Sequence, residues 1–159
     1  MTEALDPYTF GPEQLCFGCG PHNDHGLRLH FERQGEEIVT RYRPRPGQEG
    51  PPGFLHGGLQ ATLADELAAW TIIGLRGRMG FTSSLDVRLL RPARMELEIE
   101  GRGSILKEAG KITVVKVQFS QEGKKTLTGR VSYMIPTVEE AEKVLGRTLP
   151  EAWRRFAMP

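Results

Sequence analysis

The sequence predicts an α+β fold in which several strands curl around one long helix. Residues 58 to about 74 repeat apolar side chains at every third or fourth position and are rich in Ala and Leu, which is typical of a helix. Six other segments alternate apolar and polar residues or are rich in β-branched residues, which is typical of strands. A lone helix that is apolar on more than one side must be covered, and the strands have to supply that cover.

The chain before the helix divides into an arm, a hairpin and a loop. Residues 1–26 hold three prolines and two cysteines without sustained periodicity, and we expect them to form an irregular N-terminal arm. Residues 27–32 and 38–43 are expected to be the two strands of a hairpin, joined by a Gly-Glu turn. Residues 44–54 contain four prolines and three glycines, so we expect a loop there.

Four strands are predicted after the helix, which is expected to end at Gly74 or Gly77. These strands cover residues 81–90, 95–103, 111–120 and 126–135. The turn between the last two, at residues 121–124, has the composition of a hairpin turn. The predicted order is therefore β-β-α-β-β-β-β.

The C-terminal tail, residues 137–159, is expected to add two short helices. Its glutamates come early and its arginines late, which suits the dipole of a helix, and Gly146 and Pro150 divide it into two pieces. No internal repeat or low-complexity segment is present, so we expect residues 1–159 to form a single domain.

Composition and charge exclude several classes of function. The 159 residues are 38% hydrophobic and 26% charged with a formal net charge of +1, which is typical of a globular protein and not of one that binds nucleic acid. The apolar stretches are too short to span a bilayer, and the acidic N-terminus lacks the apolar core of a secretory signal. Two closely spaced cysteines do not make a disulfide framework. We therefore expect a cytoplasmic protein without nucleic-acid or membrane partners.

The segment His56-Gly57-Gly58, at the start of the predicted helix, is the first candidate for chemistry. The first N–H groups of a helix have no partner within it, and glycines let a carbonyl oxygen approach them closely. Such donors stabilise the oxyanion that forms during acyl transfer. The alternative is a helix entry with two flexible residues.

Asp65 is the second candidate, because it lies in the middle of an apolar helix, where an unpaired carboxylate is costly. It is either a functional acid or a structural carboxylate with a nearby partner. Glu66 points about 100° away and is expected to be the solvated one of the two. Gly58 and Asp65 lie about 10 Å apart along the helix axis, so one substrate carbonyl cannot reach both. If both act on one substrate, two chains must share each site.

Three segments, in order, resemble hotdog-fold thioesterases, and most closely their phenylacetate-degradation and hydroxybenzoyl-CoA branch. They are the arm motif Cys16-Phe17-Gly18-Cys19-Gly20 with Asn23 and Gly26-Leu27, the helix entry followed by Leu63-Ala64-Asp65-Glu66, and the stretch from Phe81 to Pro92. The resemblance implies a hotdog fold, an antiparallel sheet wrapped around one long central helix, in a homodimer or homotetramer. It also implies hydrolysis of an acyl-CoA thioester to free acid and CoA, without a cofactor.

The resemblance assigns roles to individual residues as well. Gly57, with Gly58 beside it, would donate N–H groups to the thioester carbonyl, and His56 would orient the loop or bond near the thioester. Asp65 of the partner subunit would act as nucleophile or as general base on water. Relatives place a hydroxyl beside this carboxylate or water, and the matching positions are Thr82, Ser83 and Ser84.

Arginines near strand ends are candidates for binding the phosphates of CoA, because guanidinium groups pair well with phosphate. Two clusters qualify, and we choose Arg91 and Arg94 over Arg41, Arg43 and Arg45. A solvated surface is the more common explanation for either cluster.

The arm offers four zinc-type donors within ten residues, namely Cys16, Cys19, His22 and His25. Zinc fingers usually carry their ligand pairs on separate elements, and here hardly any chain separates the pairs. A packed turn without metal is therefore preferred to a zinc site. A thioredoxin-like redox role is disfavoured because no βαβ pattern follows.

Two rival functions stand beside the thioesterase. A hotdog hydratase or dehydratase would use a histidine and a carboxylate for proton transfer to carbon, and His56 with Asp65 offers that pair. The glycines after His56 and the nine-residue spacing to Asp65 favour the thioesterase. A non-catalytic acyl-CoA binder would use the same pocket without turnover. Residues 48–52 differ from the apolar-aromatic loop of the relatives, so the acyl group stays open.

Overall fold

A computed structural model describes the whole chain, Met1–Pro159, as an antiparallel sheet of seven strands around one long helix. The strands are β1 (Thr2–Ala4), β2 (Phe31–Gln34), β3 (Glu37–Tyr42), β4 (Phe81–Leu89), β5 (Ile99–Ala109), β6 (Ile112–Gln121) and β7 (Lys124–Met134). The helices are α1 (Gly57–Arg76), α2 (Val138–Leu145) and α3 (Glu151–Arg154). Neighbouring strands follow the order β1-β2-β3-β5-β6-β7-β4, so β4 forms one edge of the sheet.

The core lies between α1 and the inner face of the sheet. Helix α1 packs against every strand from β2 to β7, which confirms the predicted arrangement of a sheet wrapped around a central helix. Leu63 and Leu67 of α1 are almost fully buried, and they share the main hydrophobic cluster with Val115, Val117 and Val131 of the sheet. Burying each such aliphatic side chain contributes about 1.5–3 kcal/mol, so this layer holds the fold together.

Helix α1 runs past one of its two predicted ends. It ends at Gly77, which has a left-handed φ of 59° and whose N–H donates to Ile73 O. The prediction that Gly74 could end the helix is wrong. Gly74 lies inside α1, where a Cβ atom would lie 2.7 Å from Ile38 Cδ1 and 2.8 Å from Leu5 Cδ1, so the missing side chain lets the helix approach β3 and the arm.

The N-terminal arm differs from the prediction in two ways. It contains a short strand, β1, which pairs with β2 but is only three residues long and fully exposed, so no alternation marked it. The predicted strand at residues 27–32 begins only at Phe31. Its first part instead bonds to the arm, with Leu27 N donating to Phe17 O (2.7 Å) and Leu29 N to Gly18 O (2.9 Å).

Strand β5 is also shifted from its prediction, which covered residues 95–103. Residues 95–98 lie outside the ladder, and Met95 N donates to Gly53 O in the loop before α1. At its far end β5 continues to Ala109 through an irregularity between Ile105 and Lys107. That end lies beyond the core and is exposed, so it carries no apolar alternation from which its extent could be predicted.

The remaining turns and the tail agree with the sequence. Glu122 and Gly123, with φ values of 48° and 74°, connect β6 to β7 where the hairpin turn was predicted. In the tail Gly146 ends α2 and Pro150 precedes α3, which confirms two short helices. None of the helices has the length and apolar character that crossing a membrane requires.

Candidate active site

The loop before α1 fixes the start of the helix by hydrogen bonds at several points. His56 N donates to Gln48 O (2.9 Å), and Leu55 N donates to Ala93 O (2.8 Å). The buried side chain of Gln60 donates from Nε2 to Leu55 O (3.0 Å), so the helix itself holds the loop that precedes it. These bonds give the His-Gly-Gly segment a defined geometry rather than that of a flexible entry.

His56 is the N-cap of α1, and its ring uses one of the two glycine donors. His56 Nδ1 accepts a hydrogen bond from Gly58 N at 3.0 Å. Gly58 therefore does not offer its N–H to a substrate, and the prediction of two glycine donors is not supported by this geometry. Gly57, the first residue of the helix, has an N–H without a partner in the chain. One open donor remains at the helix entry.

Asp65 lies at the centre of a cluster of oxygen atoms. Its Oδ1 accepts from Thr82 Oγ1 at 2.8 Å and from Tyr133 Oη at 2.7 Å. Tyr133 Oη also lies 2.6 Å from the main-chain oxygen of Asp65, which fixes the ring against the helix. The other carboxylate oxygen, Oδ2, makes no hydrogen bond in the chain, and no Lys, Arg or His pairs with the group. One oxygen is held by donors and the other is available.

Tyr133 is the residue of this cluster that sequence reasoning missed. It is buried on β7, directly opposite Thr82 of β4 in the register of the sheet. Burial, together with the neighbouring charge of Asp65, raises the pKa of Tyr133 well above its usual range, so the phenol keeps its proton and remains a donor. The sequence did place Tyr133 in the predicted strand 126–135. Because a buried Tyr needs a partner for its hydroxyl, its position on the inward face of that strand could have indicated a polar contact in the core.

Of the three predicted hydroxyls, the structure brings only Thr82 to Asp65. The register of β4 against β7 is irregular between Thr82 and Ser84, so Ser83 falls in a bulge. Ser83 Oγ donates to Ser132 O at 3.1 Å, away from the carboxylate. Ser84 makes no side-chain hydrogen bond to Asp65 and lies on the exposed part of β4. A bulge displaces side chains from simple alternation, and the sequence alone did not indicate where it falls.

Glu66, the neighbour of Asp65, lies under the N-terminal arm, so the prediction that it is solvated is wrong. Its Oε1 is 3.1 Å from Cys16 Sγ, close enough for the two groups to share a proton. Burial, and next the charge of Cys16, raise the pKa of Glu66 to about 8. The hydrogen bond between the side chains of Cys16 and Cys19 lowers the pKa of Cys16 to about 5 and raises the pKa of Cys19. Two adjacent carboxylates of α1 therefore lie in different surroundings.

The two predicted phosphate-binding arginines are exposed but already have partners. Arg91 Nη1 donates to Lys125 O at 2.9 Å. Arg94 Nε donates to Glu96 Oε1 at 2.6 Å, in an exposed ion pair. The alternative choice, Arg41, pairs with both Glu32 and Glu100. Binding of phosphate by any of them would have to compete with these contacts.

The four zinc-type donors of the arm are not brought together. Cys16 and Cys19 lie beside Glu66, whereas His22 packs against the ring of Tyr8 with 5.8 Å between ring centroids. His25 is exposed and is not part of the cluster. The two histidines of the alternative zinc ligand set therefore lie outside the cysteine cluster.

Strand β4 links the two ends of the candidate site within one chain. Thr82, near its start, bonds to Asp65, and Leu89, at its end, lies against Gly57, where an added Cβ would be 3.3 Å from Leu89 Cδ1. Asp65 and Gly57 themselves are eight residues apart on α1, or about 12 Å along its axis. A single thioester carbonyl cannot touch both groups of one chain.

Comparison with known proteins finds similarity to one family in the central part of the chain. Residues 52–128 match the model of the thioesterase superfamily. The human acyl-coenzyme A thioesterase THEM5 is 39% identical over 71 residues, which cover 38% of this chain. The matched stretch is 28% of the length of that relative, so most of the human protein has no counterpart in the comparison.

Solved structures of the superfamily have the same fold at low sequence identity. A thioesterase superfamily protein superposes with a TM-score of 0.71 at 19% identity, over 83% of this chain and 66% of its own. Thioesterase superfamily member 2 from Mus musculus has a TM-score of 0.62 at 21% identity, over 68% of this chain and 83% of its own.

A third structure adds a ligand to the comparison. The hypothetical thioesterase with coenzyme A from Streptococcus pneumoniae has a TM-score of 0.62 at 18% identity, over 67% of this chain and 86% of its own. At this level of identity all three likenesses are informative about the fold alone. Residues 52–128 are therefore similar to the thioesterase superfamily, and the sheet wrapped around α1 has the hotdog fold.

Proposed function

We propose that the chain hydrolyses an acyl-CoA thioester to a free acid and CoA, with Asp65 as the reacting carboxylate. The observation that carries this proposal is the asymmetry of Asp65. Thr82 and Tyr133 hold Oδ1, while Oδ2 has no partner in the chain. A carboxylate that is oriented by neutral donors and not neutralised by a cation keeps its charge available for chemistry.

Two routes use this carboxylate, and both consume one water. As nucleophile, Oδ2 attacks the thioester carbon and expels the CoA thiolate, which takes up a proton, and water then hydrolyses the resulting anhydride. As general base, Oδ2 removes a proton from water while the oxygen of that water attacks the same carbon, and the tetrahedral intermediate then expels the CoA thiolate, which takes up that proton. In both routes the carbonyl oxygen gains negative charge, and the open N–H of Gly57 is the donor that would stabilise it.

The distance between Gly57 and Asp65 requires that the two groups come from different chains, and β4 offers the surface for this. β4 is an edge of the sheet, nine residues long, with exposed Leu85 and Leu89. A long unpaired apolar edge favours pairing with another strand. If two β4 strands pair antiparallel about a two-fold axis at Leu85, Thr82 of one chain lies opposite Arg88 of the partner subunit, next to its Leu89.

That pairing would complete two equivalent sites. Because Thr82 contacts Asp65 and Leu89 contacts Gly57, it would bring Asp65 of each chain towards Gly57 of the partner subunit. The sequence predicted a site shared by two chains, and β4 is the interface that would form it. We propose a homodimer in which the two β4 strands pair, and two such dimers can assemble into a tetramer. Within each chain His56 acts as a positioning residue, because it caps α1 and leaves Gly57 open.

The similarity to named proteins supports CoA esters as the substrate class. The human relative is named an acyl-coenzyme A thioesterase and is 39% identical to this chain over 71 residues. The Streptococcus pneumoniae structure is described with coenzyme A. Arg91 and Arg94 remain our choice for the CoA phosphates, since both are exposed and near the end of β4 that carries Leu89.

The direct test is CoA release from a panel of aryl- and alkyl-CoA esters, with wild type and Asp65→Asn side by side. We expect turnover by the wild type and a loss of at least about a hundredfold in the variant, with the fold intact by circular dichroism. Comparable rates in both proteins would remove Asp65 from the reaction. Tight binding of every ester without turnover would identify an acyl-CoA binder, and hydration of an unsaturated ester would identify a hydratase.

A further inference from the structure

The side chains of Cys16, Cys19 and Glu66 converge where the N-terminal arm crosses α1. Their sulfur and carboxylate ligand atoms all lie within 4.8 Å of one another. Cys19 is buried, and Cys16 and Glu66 are partly buried. The three groups lie outside the candidate active site, although Glu66 is adjacent to Asp65 in sequence.

The turn that carries the two cysteines is rigidly built. Gly20 N donates to Cys16 O at 2.9 Å, which closes the turn. Gln14 bridges its two ends, accepting from Cys16 N at 2.8 Å and donating to Cys19 O at 3.3 Å. Two cysteines with two residues between them in a closed turn are the usual way a chain presents a pair of sulfur ligands to a metal.

The arm is also fitted to the carboxylate. A Cβ atom at Gly18 would lie 2.0 Å from Glu66 Cγ and 2.6 Å from its Oε1, so only glycine lets the turn sit directly on this side chain. The approach brings the carboxylate within 4.8 Å of both sulfur atoms rather than into solvent. A packed turn without any ligand would not require Glu66 at this point, since an apolar side chain would fill the space at lower cost.

The cluster contains three acidic groups and no basic one. Glu66 takes part in none of the ion pairs of the chain. Its only side-chain hydrogen bond is to Cys16. Buried acidic groups that converge without a cation are stabilised either by protons or by a metal ion.

We propose that Cys16, Cys19 and Glu66 bind a zinc-type divalent cation through two thiolate sulfurs and one carboxylate oxygen. Zn²⁺ prefers this mixture of sulfur and oxygen donors in a four-coordinate site. Three protein ligands leave the fourth position to a water molecule, and Cys16 also lines a cavity of about 700 Å³ between the arm and the C-terminal tail. Binding would release the protons that the three groups hold and would tie the arm to the helix that carries Asp65.

The test measures metal binding by the full-length chain, purified under reducing conditions and stripped with a chelator. We expect one equivalent of Zn²⁺ per chain by elemental analysis. Co²⁺ should give a thiolate-to-metal charge-transfer band together with the intense visible bands of a tetrahedral site. Cys16→Ser, Cys19→Ser and Glu66→Gln should each weaken binding by at least roughly 10–100-fold, since the loss of even an outer partner costs that much.

The matched control is the double variant His22→Asn with His25→Asn. These histidines belong to the arm and to the zinc pattern of the sequence, but not to the cluster, so this variant should bind Zn²⁺ like the wild type. Loss of binding in this control would overturn the proposed ligand set. Wild-type protein that binds no metal, or that contains a Cys16–Cys19 disulfide in place of a metal site, would overturn the proposal itself.

The thermal unfolding of each protein in excess chelator separates a lost ligand from a lost fold. Glu66→Gln changes only one oxygen for nitrogen, so its chelator-treated form should unfold as the chelator-treated wild type does or at higher temperature. If it does so and still binds Zn²⁺ with wild-type affinity, the carboxylate is not a ligand and the proposal fails. None of these readouts depends on thioesterase activity.

Discussion

Asp65 and Glu66 are adjacent carboxylates on one helix, yet their surroundings differ in almost every respect. Because neighbours on a helix point about 100° apart, Asp65 faces β4 and β7 while Glu66 faces the N-terminal arm. Asp65 receives hydrogen bonds from the hydroxyls of Thr82 and Tyr133 and keeps a free oxygen. Glu66 is covered by the arm and contacts the thiol of Cys16.

The difference shows that the partners of a carboxylate, more than its position in sequence, decide what it can do. Hydroxyl donors orient Asp65 and leave its charge for reaction with a substrate. Thiols beside Glu66 add further acidic groups, which favours a cation instead. We therefore propose that α1 has a catalytic side and a metal-binding side, and substitutions at each side should have different consequences.

The largest expected effect comes from comparing Asp65→Asn with Glu66→Gln, two isosteric replacements. Asp65→Asn should lower CoA release by at least about a hundredfold and leave Zn²⁺ binding intact. Glu66→Gln should weaken Zn²⁺ binding while lowering turnover by less than about tenfold. Steady-state kinetics and metal titration on the same preparations measure both. A reversed pattern would exchange the roles of the two residues.

Gly18→Ala should have the next largest effect, on the Glu66 side alone. The added methyl would overlap Glu66 Cγ, so the arm must move away, at a cost of about 1–3 kcal/mol in the free energy of unfolding. Gly50→Ala is the matched control, because its nearest neighbours would lie at an ordinary 3.5 Å or more. Denaturant unfolding measures both variants. Equal stability of the two would mean that the arm does not press on Glu66.

The smallest effect is expected on the Asp65 side, from the loss of one donor. Tyr133→Phe removes a hydroxyl bonded to Oδ1 and should lower turnover by about tenfold, since a hydrogen bond to a charged group contributes about 1.5–3 kcal/mol. Ser83→Ala removes a nearby hydroxyl that bonds to Ser132 O instead. Its turnover should stay within about twofold of the wild type. If Ser83→Ala were the more damaging change, the oxygen cluster around Asp65 would be wrongly assigned.

Periodicity was sufficient to predict the helix, most strands and the division of the tail. The apolar spacing of α1 and the alternation of β6 are both produced by burial, which is why the pattern and the structure agree. Strand ends were poorly predicted where the side chains are exposed to solvent. β1 and the far end of β5 are exposed, and their extent follows from pairing rather than from composition.

The candidate site was predictable to the level of the helix residues but not of their partners. Asp65 and the glycines stood out because a carboxylate and two glycines are unusual beside an apolar helical pattern. Tyr133 and the cover over Glu66 depend on long-range contacts, one with β7 and one with the arm, which no local pattern encodes. The capping of Gly58 by His56 depends on one side-chain rotamer and was equally out of reach.

The central claim is that each active site combines Asp65 of one chain with Gly57 of the partner subunit. It can be tested with two inactive variants, Asp65→Asn and Gly57→Pro. Proline fits the first position of a helix and removes the N–H, and His56 before it already has the extended backbone, φ −56° and ψ 133°, that precedes proline. The Cβ of proline would lie 3.3 Å from Leu89 Cδ1, as would the Cβ of alanine, so Gly57→Ala is the control for the added bulk. Gly57→Pro should cost about 10²–10³ in turnover, whereas Gly57→Ala, which keeps the N–H, should cost much less.

The decisive measurement is the activity of mixed dimers that contain one chain of each inactive variant, isolated through a different tag on each chain. In such a dimer one site has both defects and the other has neither, so CoA release should return to about half of the wild-type rate. Mixed dimers of two differently tagged Asp65→Asn chains should stay inactive. If the mixed dimer of Asp65→Asn and Gly57→Pro chains is no more active than the homodimer of either variant, the two groups do not act across the interface. That result would contradict the shared site.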